Sequence, residues 1–223
     1  MSITENVQHI LQEISSGNCY GEKVTLVAAT KLQSADSINE AIAAGIEDIG
    51  ENWAQEFRDK YDAVHGARRH FIGHLQTNKI KYLLGKTDLY QSCDRLELAS
   101  ELSARSQKAG IVSEVLVQIN IGCEESKGGF EYDEGFDAYQ KVATMPGIRV
   151  CGFMAMLPMS EDKEYLLSLV QKMRLLYDRA KEQDENIRFL SMGMSGDYQL
   201  CLKGGSNMIR LGTTIFGARD YQK

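Results

Sequence analysis

A lysine at the end of a hydrophobic run is the first residue in this chain whose position could support chemistry. Lys31 directly follows the run VTLVAAT, residues 24–30. If that run is a buried strand, partial desolvation favours the neutral amine, which can condense with an aldehyde. A solvated lysine that begins the next loop explains the same residues equally well, so this segment alone leaves both interpretations open.

Two short polar turns near the C-terminus are the second feature of chemical interest. SMGMSGD, residues 191–197, places Ser195 between glycines, and IRLGTTIFGAR, residues 209–219, offers Gly212, Thr213 and Thr214. Hydroxyl and backbone N–H groups at such turns can bind an anion beside a helix N-terminus. Each turn alone is also explained as an ordinary tight turn, but the pair predicts a phosphate site. An amine and a phosphate site at one mouth suit a phosphorylated aldehyde.

The relative position of these residues depends on the secondary structure that carries them. Short β-rich runs alternate eight times with longer segments of helical periodicity. The strand-like runs are residues 24–29, 46–50, 70–72, 89–92, 114–120, 148–152, 187–191 and 207–211. The helix candidates are residues 34–44, 52–64, 75–84, 95–109, 132–144, 161–183 and 196–203, followed by a short C-terminal piece.

The count of eight pairs favours a closed barrel over an open, doubly wound sheet, which shows the same alternation. The run 24–30 is almost continuously apolar, as expected for a parallel strand covered on both faces. Glycines at positions 45, 85, 110 and 204 follow helical runs, where a left-handed cap needs no Cβ. Phosphate sites in such barrels usually lie after strands seven and eight, which is where the two polar turns fall.

Length and composition fit one such domain and exclude several kinds of partner. The 223 residues, 43% of them hydrophobic, can bury one sizeable core. We predict an α/β fold: a single (β/α)8 TIM-barrel domain over residues 1–223 with an extra N-terminal helix. A net charge of -6 gives no general attraction to nucleic acid or to an anionic membrane. We therefore expect the main partner to be a small molecule. We also expect a monomer, although no residue pattern in the sequence determines the oligomeric state.

The N-terminus and the cysteines indicate a cytoplasmic protein. The apolar residues of the first helix are spaced for one face of an amphipathic helix, with no cationic start, so the segment is neither a signal peptide nor a membrane span. These residues are Ile3, Val7, Ile10, Leu11 and Ile14. The five cysteines are widely spaced and contain no C-x-x-C pair, which is typical of reduced thiols in a cytosol.

Three other kinds of site are disfavoured by the residues themselves. His70 and His74 have a zinc-binding spacing, but Gly73 breaks the helix that this spacing needs, so we expect no metal. The segment GMSGD has Asp197 where the hydrolase pattern G-x-S-x-G requires glycine. A Schiff-base aldolase on this barrel commonly has its lysine on a later strand, and the sixth run, IRVCGF, contains none.

Seven motifs together carry a family resemblance that extends from about Val24 to the C-terminus. They are ATK at 29–31, GENWAQE at 50–56, HFIGHLQTNK at 70–79, QINIGCEESKGG at 118–129, GFMAM at 152–156, GMSGD at 193–197 and GGSNMIRLGTTIFGARDY at 204–221. In order and spacing they resemble the pyridoxal phosphate homeostasis protein family, whose barrel is related to the N-terminal domain of alanine racemase.

The resemblance implies a Schiff base between Lys31 and pyridoxal 5'-phosphate (PLP). It also implies phosphate contacts and a donor to the pyridine nitrogen, with three further residues near the cofactor. The phosphate contacts are Ser195, Gly212 and Thr213, the donor is Arg210, and the nearby residues are Asn52, His70 and Met194. A guanidinium can only donate, so the ring nitrogen stays unprotonated and the ring is a weak electron sink. A structural arginine paired with an acidic group is the competing interpretation of Arg210.

A second lysine is linked to cofactor handling in this family, in a stretch of the form E-x-x-K-x-G. The matching residue is Lys127, and we expect Gly128 at the variable position to loosen the loop. The implied function is to hold PLP in the cell and to buffer it or deliver it to PLP-dependent apo-enzymes, without turning over a substrate. The alternative is an amino-acid racemase with weak or narrow activity. We expect no efficient racemase, because the chain ends at Lys223 without the β-rich domain that supplies a catalytic tyrosine in alanine racemase.

Overall fold

Eight parallel strands close into a barrel at the centre of the molecule. The computed structural model describes residues 2–217. The strands follow one another around the barrel in chain order, and the last pairs with the first. Their bounds are Thr25–Ala29 (β1), Asp48–Glu51 (β2), Arg68–Phe71 (β3), Leu89–Cys93 (β4), Ser113–Ile119 (β5), Ile148–Ala155 (β6), Phe189–Ser191 (β7) and Met208–Leu211 (β8). The predicted α/β barrel is confirmed, and every strand overlaps a run predicted from the sequence.

Helices follow the strands on the outside of the barrel, after one helix that precedes β1. Their bounds are Ile3–Glu13 (α1), Ala35–Ala43 (α2), Ala54–Lys60 (α3), Ile80–Leu83 (α4), Leu96–Ala109 (α5), Gly135–Ala143 (α6), Lys163–Lys181 (α7), Tyr198–Lys203 (α8) and Thr213–Phe216 (α9). Each predicted helical segment contains one of them, although α4 is shorter than predicted because a 3-10 turn, Thr77–Lys79, precedes it. Within residues 2–217, no helix has the length and apolar character that a membrane span requires.

Each strand buries side chains on both of its faces, which accounts for the continuous apolar sequence of β1. Val27 packs inside the barrel with Leu116 and Met208. Its neighbours Leu26 and Ala28 belong to the layer between the strands and the surrounding helices. Successive residues of a strand point to opposite faces, so one run of sequence supplies both layers.

The extra N-terminal helix is capped at its start and fastened to the last helix. Ser2 Oγ accepts a hydrogen bond from the Glu5 N–H at 3.2 Å, and the Glu5 carboxylate accepts one from the Ser2 N–H at 2.8 Å. This reciprocal capping box satisfies two backbone donors at the helix start. Val7 is fully buried, and Asn6 Nδ2 donates to the Ile215 carbonyl at 2.9 Å. The helix α1 therefore supports α9, which begins at the second polar turn.

Strand β6 extends three residues beyond its predicted end at position 152. Val150 pairs with Val115 and Gly152 pairs with Leu116, so Cys151 is an extra residue that forms a bulge. Gly152 has φ 144°, and a Cβ on it would lie 1.8 Å from the Phe189 carbonyl oxygen. The glycine thus permits a close approach of β6 to β7 and does not mark a strand end.

Gly204 is a second glycine whose predicted role was wrong. It closes α8 with φ -90°, in the right-handed region, and the left-handed residue is Gly205 with φ 102°. A Cβ on Gly204 would lie 2.5 Å from Val170 Cγ1 of α7. Close packing between α7 and α8, not backbone conformation, explains the glycine at this position.

The bulge in β6 gives a stability prediction. Gly152→Ala should lower the free energy of unfolding by roughly 3 kcal/mol or more, because the new methyl group meets the backbone of β7. Gly110→Ala is the matched control: Gly110 also has positive φ, 67°, but nothing lies within 4 Å of its Cβ position, so a loss of about 1 kcal/mol is expected. Urea unfolding of both variants measures the difference. Equal losses would show that the close approach to Phe189 is not what requires the glycine.

Candidate functional site

The pairing of β1 with β8 brings Lys31 and the second polar turn to the same rim of the barrel. Val27 pairs with Arg210 and Ala28 with Leu211, in parallel. Continued past the ends of both strands, this register carries Lys31 out of the barrel beside residues 212–214. Lys31 is half-buried there. The carboxyl ends of the strands are also where active sites lie in barrels of this kind.

The residue after Lys31 has a strained backbone. Leu32 has φ 63°, a left-handed conformation that costs a non-glycine residue about 1–3 kcal/mol. Its N–H donates to Glu56 Oε2 at 2.9 Å, and the same carboxylate oxygen accepts from Lys60 Nζ at 2.6 Å. Glu56 and Lys60 both belong to α3. This helix therefore holds the turn that follows Lys31.

The residue before Lys31 is fastened by a buried ion pair. Lys60 Nζ donates to Glu51 Oε1 at 2.8 Å and to the Thr30 carbonyl at 3.1 Å, while Thr30 Oγ1 donates to Glu51 Oε1 at 2.9 Å. Burial raises the pKa of Glu51 above its usual value, although the charge of Lys60 opposes the shift. Both chain neighbours of Lys31 are therefore fixed by residues of β2 and α3.

The two polar turns predicted from the sequence meet at Ser195. Its Oγ accepts hydrogen bonds from the N–H groups of Gly212 at 3.3 Å and of Thr214 at 3.4 Å. One hydroxyl and two backbone donors thus converge at the start of α9, and Thr213 between them is exposed. This is an arrangement that suits a phosphate group. Met194, also a predicted contact, is partly exposed in the first turn.

Arg210 lies inside the barrel with 5% of its surface exposed. NH1 donates to the carbonyl and to the hydroxyl of Ser191, at 2.9 and 2.5 Å, and NH2 donates to the Ala155 carbonyl at 3.1 Å. These bonds use three of the five N–H groups of the guanidinium. Burial lowers the pKa of Arg210 to about 10, so the side chain stays charged at neutral pH. Among residues 2–217 no acidic group pairs directly with it, contrary to the competing interpretation of a structural ion pair.

Asn52 and His70 differ in how their polar atoms are bonded. Asn52 Oδ1 is buried and has no hydrogen-bond partner in the described residues, so it can accept from a bound ligand. His70 is 1% exposed, and its two ring nitrogens lie 2.9 Å from Asp48 Oδ1 and 2.8 Å from Gln91 Nε2. Protein groups therefore occupy both nitrogens, and only the ring carbons of His70 are left for contact with a cofactor.

Lys127 lies in the loop after β5, at the same rim but away from β1. Its amine pairs with the Glu124 carboxylate and donates to the Leu157 carbonyl at 3.0 Å. Gly128 next to it lies close to Asp94, since a Cβ there would be 2.7 Å from Asp94 Oδ2. Close packing against Asp94 therefore explains Gly128. The prediction that this glycine loosens the loop was wrong, because several contacts hold the loop in place.

Some polar groups of the interior have only a faint sequence signal. Gln91 and Ser191 are polar residues at inward-facing positions of the strands LYQSC and FLS, and no spacing rule connects them.

His74 is exposed and its Nδ1 lies 2.8 Å from Asp94 Oδ2, a partner outside its motif. His70 and His74 thus bind different carboxylates. Residues 2–217 contain no group of three or more His, Cys, Asp or Glu side chains that could hold a metal ion.

Comparison with known proteins first defines the class. Residues 2–220 match the family model described as alanine racemase, N-terminal domain. This match covers nearly all of the chain, and the described residues form a closed parallel barrel. The protein is therefore an alanine racemase-like barrel.

Individual relatives narrow the class to one family. A pyridoxal phosphate homeostasis protein of Aquifex aeolicus is 37% identical over 223 residues, 98% of this chain and 96% of the relative. The protein of the same name in Escherichia coli is 38% identical over 209 residues, 91% of this chain and 88% of the relative. The structure of Synechococcus elongatus PipY with PLP bound is 25% identical, has a TM-score of 0.82, and overlaps 97% of this chain and 100% of that chain. The chain belongs to the pyridoxal phosphate homeostasis protein family, as its motifs indicated.

The buried carboxyl beside Lys31 gives a pH prediction. Because burial raises the pKa of Glu51 above 4.5, its contribution to stability is full below that pH and is lost as the pH rises through the folded-state pKa. The free energy of unfolding of the wild type minus that of Glu51→Gln should therefore fall above pH 4.5, by at most about 1.4 kcal/mol per pH unit. Urea unfolding between about pH 4.5 and 7.5 measures this difference.

Thr30→Val is the control for that titration. It removes the hydroxyl donor to Glu51 but keeps the carboxyl, so the pH-dependent fall should persist in this variant. A wild-type minus Glu51→Gln difference that stays constant, or that grows with pH, would contradict the raised pKa of Glu51.

Proposed function

We propose that this protein binds PLP covalently through Lys31 and buffers it, or delivers it to PLP-dependent apo-enzymes, without turning over a substrate. One observation carries the proposal: the amine of Lys31, the donors around Ser195 and the guanidinium of Arg210 are contributed by neighbouring strands β1, β7 and β8. The names of the relatives and the PLP-bound structure of PipY support it. We further propose that the protein acts as a monomer in the cytoplasm.

PLP supplies an aldehyde that a primary amine can bind reversibly, and the residues of this chain determine where it is held. The neutral amine of Lys31 would hold that aldehyde covalently through a C=N bond, and the aldehyde oxygen would leave as water with the two N–H protons of the amine. The Ser195 hydroxyl and the N–H groups of Gly212, Thr213 and Thr214 bind the phosphate. Asn52 Oδ1, which has no partner among residues 2–217, is available to accept a hydrogen bond from the ring substituents.

Arg210 supports a holding role over a catalytic one. Its guanidinium can donate to the pyridine nitrogen but does not give up its proton at neutral pH, so the nitrogen remains unprotonated. Transamination-type reactions depend on a strong electron sink, and an unprotonated ring is a weaker one than a ring that faces a carboxylate. A site with this donor therefore retains the aldehyde while accelerating such reactions little.

Lys127 is proposed as a second amine in cofactor handling. It lies across the rim from β1, and its bonds to Glu124 and to the Leu157 carbonyl keep it in place. Release of PLP from Lys31 to another amine requires that second amine to give up a proton. Glu124 is positioned to take it. Lys127→Ala should therefore slow transfer to an apo-enzyme without abolishing PLP binding.

Weak racemase activity is the second candidate, and the pair His74–Asp94 is the observation that favours it. The imidazole is exposed at the ends of β3 and β4 and is oriented by the buried carboxylate, as an acid–base group would be. A deuterium wash-in assay on a panel of amino acids separates the two functions. Our proposal predicts α-exchange no faster than with free PLP, and saturable exchange that His74→Ala removes would favour the racemase.

The proposed binding mode predicts distinct effects for two variants. Lys31→Ala should abolish the visible absorption band of the Schiff base, because the neighbouring amine of Lys60 is held in ion pairs with Glu51 and Glu56. Ser195→Ala should keep the band but weaken PLP binding about 10-fold or more, since it removes a hydrogen bond to a charged group. Lys108→Ala, at the exposed end of α5, is the control and should leave both properties unchanged. A full band in Lys31→Ala would contradict the assignment.

A further inference from the structure

A continuous chain of hydrogen bonds crosses the barrel interior from Arg210 to Asp48. Ser191 Oγ lies 2.5 Å from Arg210 NH1 and 2.7 Å from Gln91 Oε1. Gln91 Nε2 lies 2.8 Å from His70 Nδ1, and His70 Nε2 lies 2.9 Å from Asp48 Oδ1. All five side chains are at least nine-tenths buried. We call Ser191, Gln91, His70 and Asp48 the interior relay.

The chemistry of its two ends fixes the direction of the relay. Arg210 can only donate, so Ser191 Oγ accepts from it and gives its own proton to Gln91 Oε1. The amide of Gln91 then donates through Nε2 to His70 Nδ1, which must be the unprotonated ring nitrogen. His70 Nε2 carries the proton and donates to Asp48, whose carboxylate accepts. Every donor therefore points away from Arg210, and the structure requires the Nε2–H tautomer of His70.

This direction determines whether Ser191 can bind the guanidinium. If the Gln91 amide were reversed, its Nε2 would donate to Ser191 Oγ, and the serine hydroxyl would lose Gln91 Oε1 as its acceptor. The hydroxyl proton would then point toward Arg210 NH1, which is itself a donor. NH1 would then keep only the Ser191 carbonyl, and the guanidinium would be held by fewer bonds. Asp48, on β2, is the residue that prevents this reversal, because it offers no donor to His70.

The relay also provides a counter-charge for a buried cation. Arg210 has no acidic group in direct contact among residues 2–217, and a buried charge without compensation is costly. Each polarised bond of the relay places the negative end of a dipole toward Arg210 and the positive end toward Asp48. Arg68, 3.9 Å from Asp48 at the other end of the barrel, then stabilises the carboxylate.

We propose that the interior relay positions Arg210. Asp48, at one end of the barrel, thereby sets the orientation and the hydrogen-bond donor strength of the guanidinium, which faces the cofactor at the other end of the barrel. The inference rests on the proposed PLP site for its functional consequence, but the relay itself exists without cofactor. Asp48, His70, Gln91 and Ser191 are in this account positioning residues and make no polar contact with PLP.

The tautomer of His70 in the cofactor-free protein is the first test. Long-range proton–nitrogen NMR spectra of the uniformly ¹⁵N-labelled full chain distinguish Nε2–H, Nδ1–H and doubly protonated rings, and His70→Gln assigns the signal. The relay predicts Nε2–H in the wild type at neutral pH. Asp48→Asn should give a mixture of Nε2–H and Nδ1–H rings, because the asparagine amide can accept from Nε2–H or donate to an unprotonated Nε2. A wild-type ring in either other state would overturn the relay, whatever the outcome of the PLP experiments.

Cofactor spectroscopy is the second test. Asp48→Asn and Ser191→Ala should each shift the absorption maximum of bound PLP and weaken its binding about 10-fold. Glu47→Gln makes the same charge change at the adjacent, exposed position and should alter neither property. Thermal unfolding of each variant without cofactor checks that the fold persists, and Ser191→Ala supplies the result if Asp48→Asn does not fold. An unchanged spectrum and affinity in a folded Ser191→Ala would contradict the positioning role.

The two proposals fail in distinguishable ways. If Lys31 forms no adduct but His70 is the Nε2–H tautomer, the PLP site is wrong and the relay is a device for burying Arg210. If the adduct forms and the tautomer differs, the PLP site stands and the relay is wrong.

Discussion

Arg210 carries a permanent positive charge inside the barrel, and the burial of that charge constrains the residues around it. A guanidinium removed from water needs acceptors for its N–H groups, and leaving such a charge uncompensated costs about 3–5 kcal/mol. Here the acceptors come from Ser191 and from the Ala155 carbonyl, and Asp197 is an acidic group near enough to act on the guanidinium. Three side chains of the interior relay connect the guanidinium to the Asp48 carboxylate. The polar interior of the barrel follows from this one buried cation.

Closure of the barrel explains how groups distant in sequence act together. All parallel strands end at one rim, so the amine after β1 and the donors after β7 and β8 become neighbours although more than half of the chain separates them. The surroundings then hold each group in place. Glu51 and Lys60 fix Thr30 before Lys31, and Glu56 fixes Leu32 after it. The helix α1 supports α9 through Asn6. Rigid support of this kind suits a protein that retains a reactive aldehyde. It is less suited to a protein whose site must move during a reaction.

The sequence predicts the repeating features of this fold well and the long-range ones poorly. Eight alternations of strand and helix, and the position of the polar turns after the last two strands, follow from local patterns. The bulge at Cys151 does not, because a glycine at a close interstrand contact looks the same in sequence as one that ends a strand. The partners of His70 are equally hidden: a histidine in a motif suggests ligand contact. Its two nitrogens are instead bound by residues on β2 and β4, which strand pairing places on either side of β3.

The central claim is that the nitrogen at the end of β1 is the covalent anchor for vitamin B6 phosphate. Borohydride reduction of the protein after incubation with PLP, followed by digestion and mass mapping, fixes the adduct to the lysine that carries it. The account predicts one modified peptide, with the phosphopyridoxyl group on Lys31. Modification spread over several surface lysines, or confined to Lys127, would contradict it.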